Sequence, residues 1–153
     1  QLKDGYLIQH NQGAPRLRIL GLGPRLIPVN AIEQLQTLLE ENTFWAKGRT
    51  RKQLKQMIKN SNSVVTIWEN LKLIGFGRGT SDCLFRAVLW DIVIANDYQK
   101  TGLGKVLVRS LLESKSIQDV NKVYLMTTNC KIFYEENNFT EVTDQTLLIK
   151  SNK

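Results

Sequence analysis

Apolar and polar residues alternate with two different periods along this chain, and the change from one period to the other outlines its elements. Residues 1 to 28, with Gly21-Leu22-Gly23-Pro24, read as a strand around Leu17 to Leu20 followed by a turn. A helix then follows. Ile32, Leu35, Leu38 and Leu39 share one face, and Asn30 with Glu33 has the spacing of a capping box. A second, shorter helix starts at Thr50 with Gln53 in the box position and Leu54, Met57 and Ile58 as its apolar stripe.

After Asn60 the period falls to two. Ser63 to Glu69 and Lys72 to Gly79 are strand-like and joined by Asn70-Leu71, as in a tight hairpin. Phe85 to Ala95 is nearly continuous in Ala, Val, Leu, Trp and Ile, the pattern of a central strand covered on both faces. The loop Asn96 to Thr101 feeds a helix from about Gly102 to Ser114. A strand at Lys122 to Met126, a short helix near Asn129 to Glu136 and a last strand around Gln145 to Lys150 complete the order β-α-α-β-β-β-α-β-α-β. An antiparallel hairpin followed by strand-helix-strand predicts a mixed sheet in an α/β sandwich.

Composition narrows the class. The 153 residues, 42% apolar and 23% charged, suit one domain, 1–153, in which folding hides roughly 70% of the unfolded chain's surface. Disordered, collagen-like and mucin-like classes are excluded. The longest apolar stretch, Ala87 to Ala95, is broken by Asp91 and falls far short of the roughly 20 residues a membrane helix needs, so no membrane partner is expected. Gln1-Leu2-Lys3-Asp4 does not resemble a signal peptide, and the missing initiator Met leaves room for a removed targeting segment. Two cysteines, Cys83 and Cys130, with His10 as the lone histidine, are too few for a disulfide framework or a zinc site and leave little for Ser-His-Asp or Cys-His catalysis. Buried, reduced thiols are the expectation.

The net charge is +7, from 21 Lys and Arg against 14 Asp and Glu. It points to a polyanionic partner, either nucleic acid or a nucleotide cofactor. The sharpest local signal is Gln99-Lys100-Thr101-Gly102-Leu103-Gly104, between the central strand and an amphipathic helix, with Lys105 just after it. Glycines there let a ligand approach the backbone, and the free amides and dipole of the helix start favour an anion. A glycine-eased turn with no ligand has the same spacing. Neither the three-glycine dinucleotide fingerprint nor a Walker A loop is present.

Gln99, Gly102 and Gly104 match the Gln/Arg-x-x-Gly-x-Gly/Ala signature of the GNAT superfamily of N-acetyltransferases, which the chain resembles. Ile92 and Ile94 repeat that family's apolar alternation before the signature. Phe133-Tyr134-Glu135-Glu136-Asn137-Asn138-Phe139 is similar to its Phe/Leu-Tyr-x-x-x-Gly-Phe element, with Asn138 in place of the glycine. The runs Leu73 to Asp82, Ala87 to Ile94 and Tyr98 to Lys105 look like the plastid and cyanobacterial branch that includes plant-type serotonin N-acetyltransferases. Some plastid relatives acetylate protein lysines and N-termini.

The resemblance implies a GNAT-like, mostly antiparallel sheet flanked by helices, with a splay between the fourth and fifth strands. It implies acetyl-CoA as cosubstrate, with no metal, and acetyl transfer to a primary amine in a ternary complex. An arylalkylamine such as serotonin or tryptamine is the first acceptor, and a protein lysine or N-terminus the alternative. Tyr134 is the implied general acid. Asp91, a charge within an apolar strand, is the candidate to hold or deprotonate the amine, or else to pair with Arg78 or Arg86. The Ile92, Val93 and Ile94 backbone, residues Gln99, Lys100, Thr101, Gly102, Leu103, Gly104 and Lys105, and Asn129 and Tyr134 would bind the coenzyme. Trp90, Asp91 and Phe85 would meet the acceptor, with Phe44 and Trp45 near its mouth. The implied residence is a plastid or a cyanobacterial cytoplasm, and a homodimer is left open.

One basic run stands apart. Lys47, Arg49, Arg51, Lys52, Lys55 and Lys59 occur with no acid among them. A nucleic-acid-binding module is the non-enzymatic alternative they raise, although a solvated face over the Leu54, Met57 and Ile58 stripe is the commoner origin of such a run.

Overall fold

Period-two segments become strands and period-3.6 segments become helices in the computed structural model of the chain, which describes residues 5–11 and 30–152. The strands are β1 (Gly5–Asn11), β2 (Ser63–Glu69), β3 (Lys72–Ser81), β4 (Arg86–Ile94) and β5 (Lys122–Tyr124). They lie in one sheet in that order, antiparallel from β1 to β4 and parallel between β4 and β5. The helices are α1 (Ala31–Asn42), α2 (Arg51–Lys59), α3 (Leu103–Leu112) and α4 (Lys131–Glu135), with a 3-10 turn at Asn96–Tyr98.

Each face of the sheet carries its own core. Leu35, Leu38 and Leu39 of α1 and Leu54 and Ile58 of α2 pack on Val64, Trp68, Phe76 and Val93. Leu107, Val108 and Leu111 of α3, with Ile117, pack on Val65, Ile67, Ile74 and Leu89. Close approach on the α3 side depends on β3, whose Gly77 and Gly79 face that way. A Cβ at Gly79 would lie 2.4 Å from Ile117 Cδ1, and one at Gly77 3.0 Å from Leu111 Cδ1.

Thr50 caps α2 as its spacing predicts: Gln53 N donates to Thr50 Oγ1 at 3.1 Å and Thr50 N donates to Gln53 Oε1 at 2.8 Å. The matching expectation for α1 fails. Asn30 adopts left-handed backbone (φ 50°) and its side chain makes no cap bond.

Both ends of the chain depart from the sequence reading. The strand expected at Leu17 to Leu20 and its turn lie outside the described residues, while β1 forms earlier, from Gly5 to Asn11, with His10 as its buried member. Its imidazole Nε2 pairs with Thr66 Oγ1 at 3.3 Å, which gives the lone histidine a core role. At the other end, Gln145 to Lys150 form no strand, and Leu147, Leu148 and Ile149 are 74%, 85% and 88% exposed. The apolar run there meets no sheet partner among the described residues.

The edge of β4 is only partly paired. Its parallel pairing with β5 is confined to Arg86, Ala87 and Val88, opposite Lys122, Val123 and Tyr124. From Leu89 to Ile94 that edge has no strand beside it among the described residues, which is the expected splay.

Candidate active site

The open stretch of β4 also contains a bulge. Arg78 faces Trp90 and Phe76 faces Val93, so Asp91 and Ile92 together oppose only Gly77. Asp91 takes left-handed backbone (φ 53°), which Asp tolerates better than most residues. Strict alternation would send Trp90 and Asp91 to opposite faces, but here both reach Arg78. The guanidinium lies 5.8 Å from the Trp90 ring centre, and Arg78 Nε donates to Asp91 Oδ2 at 2.8 Å.

Asp91 is a crowded acceptor. Arg49 Nη1 donates to Oδ2 at 2.8 Å, Arg49 Nη2 to Oδ1 at 3.3 Å, and Trp45 Nε1 to Oδ1 at 3.0 Å. With Arg78 that makes four donors, matching the roughly four lone-pair positions of a carboxylate. The side chain is only 4% exposed. Burial alone would raise its pKa, but the hydrogen bonds from Arg49 and Arg78 outweigh burial and hold it below the usual carboxylate range. The ion pair foreseen with Arg78 therefore exists, and Arg49 takes the second place. Arg86 turns instead to the Phe85 carbonyl, 3.0 Å from its Nη1.

Around this cluster Trp90 is half-buried and donates to Thr80 Oγ1 at 2.8 Å. Phe44 meets Trp45 edge-on at 5.2 Å, and both are exposed. Phe85 is exposed in the turn organised by Asp82, whose Oδ1 accepts from the amides of Leu84, Phe85 and Arg86. It shares no described hydrogen bond or ring contact with the Trp45-Asp91-Trp90 group.

On the α3 side of the sheet lies the glycine-containing loop. Gly102 (φ 86°) caps α3 in a left-handed conformation with no heavy atom within 4 Å of where a Cβ would stand. Val106 N is the first helical amide to find an acceptor, the Gly102 carbonyl at 3.3 Å. The amides of Leu103, Gly104 and Lys105 have none among the described residues. Lys100, itself at φ 62°, and Lys105 are exposed beside them. Gln99 folds back: its Nε2 donates to the Ile94 carbonyl at 3.0 Å and to Asn96 Oδ1 at 3.1 Å, tying the loop to the end of β4. Thr101 Oγ1 donates to the Tyr98 carbonyl. Gly104 has a different task. A Cβ there would come within 3.2 Å of Phe133 Cζ, so its bareness lets α4 close on α3.

Tyr134 in α4 is half-buried, packed edge-on with Phe133 at 5.0 Å and Phe139 at 5.8 Å. It joins Ile92, Leu103, Phe133 and Phe139 around the α3-side core. Its hydroxyl makes no hydrogen bond among the described residues. Burial, aided by the neighbouring Cys130, pushes its pKa up to about 12. Asn138 holds φ 71°, the left-handed turn anticipated where the resembling element has glycine. Cys130, expected to be buried, is exposed at the start of α4 with its Sγ 3.3 Å from Asn129 Oδ1, and Cys83 is exposed as well.

The structure thus assembles two groups. Ile92, the α3 start and Tyr134 meet on one side of the sheet, while Trp90, Asp91, Trp45 and Arg49 meet on the other. Arg49 was invisible to sequence reasoning, since it lies 42 residues from its partner. A groove of about 550 Å³ between α1 and the end of β4, lined in part by Glu33, Gln34, Asn96 and Tyr98, contains none of these residues. The open strand edge and the free amides lie outside it. Among the described residues no three His, Cys, Asp or Glu side chains converge as a metal site, and no helix is long and apolar enough to cross a membrane.

Residues 60–141 match the family model described as Acetyltransferase (GNAT) domain. An uncharacterized N-acetyltransferase, ycf52, of Pyropia yezoensis is 36% identical over 89 residues, 56% of this chain and 51% of that protein. A ycf52-like protein of Prochlorococcus marinus is 32% identical over 112 residues, covering 70% and 61%. The chloroplastic GCN5-related N-acetyltransferase 2 of Arabidopsis thaliana is 36% identical over 66 residues, covering 43% and 26%. The chain spans about half the length, or less, of several of the curated relatives it matches. In fold it is similar to a GNAT-family acetyltransferase of Streptococcus pneumoniae, with a TM-score of 0.71 at 18% identity over 97% of this chain and 98% of that one.

Proposed function

Because the chain belongs to the GNAT acetyltransferase family, we propose that it transfers the acetyl group of acetyl-CoA to a primary amine by direct attack in a ternary complex. The observation that carries this reading is the unpaired edge of β4 beyond Val88, with three acceptor-less amides at the start of α3 following it in the chain. The open approach at Gly102 suits the coenzyme's phosphates, which Leu103, Gly104 and Lys105 amides and the Lys100 and Lys105 side chains would hold. Gln99 keeps that loop against β4, and the Ile92 to Ile94 backbone offers free edge groups to the rest of the coenzyme. Asn129, exposed beside α4, would touch it as well. When bound, acetyl-CoA supplies a thioester.

The amine nitrogen bonds to the acetyl carbon, the carbon–sulfur bond breaks, the amine loses a proton to water, and the departing sulfur is protonated. Tyr134 donates that last proton. Its raised pKa keeps the phenol protonated through the neutral range, so the proton is always present to be given. Asp91 has no free acceptor position, and in this reading it is a positioning residue that fixes Arg49 and Trp45.

Without a free carboxylate, the acceptor's own acidity matters. Deprotonating an alkylammonium at pH 7 costs about 4.6 kcal/mol, from about 3.4 units at 1.36 each, but an α-amine with pKa near 7.8 costs only about 1 kcal/mol. The exposed Phe44 and Trp45 would stack on an indole, yet Asp91 beside Trp45 is fully engaged by Arg49, Arg78 and Trp45 and leaves no position for the ammonium of serotonin or tryptamine. A polypeptide amine, above all an N-terminus, fits the site better. The relatives' chloroplastic and cyanobacterial origins favour a plastid or cyanobacterial residence.

Release of free thiol from acetyl-CoA, followed with an N-terminal peptide, a lysine peptide, a polyamine, serotonin and tryptamine, tests this function. Turnover is expected, fastest with the N-terminal peptide. Thiol release that no amine stimulates would refute it.

A further inference from the structure

We propose that the acceptor is an acidic polypeptide, guided to the site by the basic surface that runs from Lys47 through α2. The inference rests on the acetyl-transfer reading above and assigns its substrate class. The first observation is the charge balance at the acceptor cluster. Arg49 and Arg78 surround a single carboxylate, so the cluster carries one net positive charge. Arg49 is 29% exposed and stands next to the exposed Trp45.

The second observation is that the positive surface continues outward from Arg49. Lys52, Lys55 and Lys59 follow the i, i+3, i+7 spacing of one helix face, turned away from the buried Leu54 and Ile58. They and Lys47 are exposed, and none has an ion pair or hydrogen bond among the described residues. Arg51 differs: it is engaged by Gln36 and Glu33 of α1. No acidic residue lies between Lys47 and Lys59, and Lys55 and Lys59 repel each other at i, i+4. Four unneutralised lysines leading to a net-positive reaction site form a complement to carboxylates. A nucleic acid would also satisfy the lysines, but it brings no aliphatic primary amine for acetyl transfer, whereas a polypeptide carries both the amine and the acidic side chains.

The experiment has two arms. In the first, the full chain is titrated into fluorescein-labelled peptides of equal length, flanked by Asp and Glu, by Ser and Gly, or by Lys and Arg, with anisotropy as readout. In the second, kcat/KM is measured for the same peptides, unlabelled and with free N-termini. The acidic peptide should be favoured by about tenfold in both arms at about 50 mM salt, and the preference should shrink toward unity at about 500 mM. K52Q/K55Q/K59Q should lose most of the preference, and K52E/K55E/K59E should reverse it, the milder variant guarding against misfolding of the harsher one. A preference for the neutral or basic peptide, or an acidic preference that survives both variants, would overturn the proposal. So would tighter, lysine-dependent binding of a duplex DNA of the same charge. Acidic-peptide binding without turnover of any peptide would refute acetyl transfer while leaving the docking surface, so the two failures are distinguishable.

Discussion

Gly104, in the first turn of α3, lies against the ring of Phe133 in α4, where an added Cβ would stand 3.2 Å from Phe133 Cζ. The contact ties the proposed phosphate loop to the helix that carries Tyr134, because Phe133 and Tyr134 are adjacent and packed edge-on. Gly104→Ala should improve helix propensity by up to about 1 kcal/mol, so thermal stability should change little. Its effect should appear in function, as a fall of about tenfold or more in kcat/KM for acetyl-CoA when a sub-ångström misplacement disturbs both groups. Phe133→Leu, which removes the clashing ring atoms, should restore part of the loss in the double variant. Purely additive losses would show that the two positions are uncoupled.

Tyr134→Phe should lower kcat by roughly 10- to 1000-fold while leaving acetyl-CoA affinity nearly unchanged. A pKa near 12 also predicts that the pH profile has no falling limb assignable to Tyr134 between pH 7 and 10; the rate should rise as the acceptor amine deprotonates and then level off. Steady-state kinetics across that range check both statements.

Asp91→Asn keeps a residue that tolerates φ 53° and an oxygen for Trp45, so it isolates the charge. Removing one partner of a buried ion pair costs about 3–5 kcal/mol; because Arg49 is 29% and Arg78 16% exposed, roughly 2–3 kcal/mol is expected at pH 7. The sign follows from the lowered pKa of Asp91. A carboxylate with a depressed folded pKa stabilises above its unfolded value near 3.9 and loses that contribution as pH falls through the folded value. Urea unfolding should therefore separate the two proteins at pH 7, and the gap should begin to close only below about pH 4, vanishing once pH has fallen through the lowered folded value.

Most local signals are legible in the sequence, the Asn30 cap excepted, and distant ones are not. The Thr50-Gln53 cap, the Asn70 hairpin and the Gly102 helix start are specified within a few residues, and all three form. The Arg49 and Trp45 partners of Asp91 lie 42 and 46 residues away, across a bulge that no period-two pattern reveals. β1 is hard to read because Gln9-His10-Asn11 has the pattern of a polar loop until His10 pairs with Thr66 in the core. Gln145 to Lys150 is the opposite case, since the apolar run Leu147-Leu148-Ile149 makes a strand only beside an edge that pairs with it. Gln99 and Gly104 stand out in the sequence as parts of one signature, yet no local pattern shows that Gln99 latches the loop to Ile94 or that Gly104, in the first turn of α3, admits Phe133.

Isothermal titration of acetyl-CoA into the full chain is the sharpest test, because the β4 edge and the α3 amides are assigned to that molecule. Saturable binding with one site per chain is expected, weakened by Gly102→Ala, which strains a φ of 86° without a clash against any neighbour, and left intact by Tyr134→Phe. An absence of binding heat at several temperatures, with no acetyl-CoA protection against thermal unfolding, would contradict it.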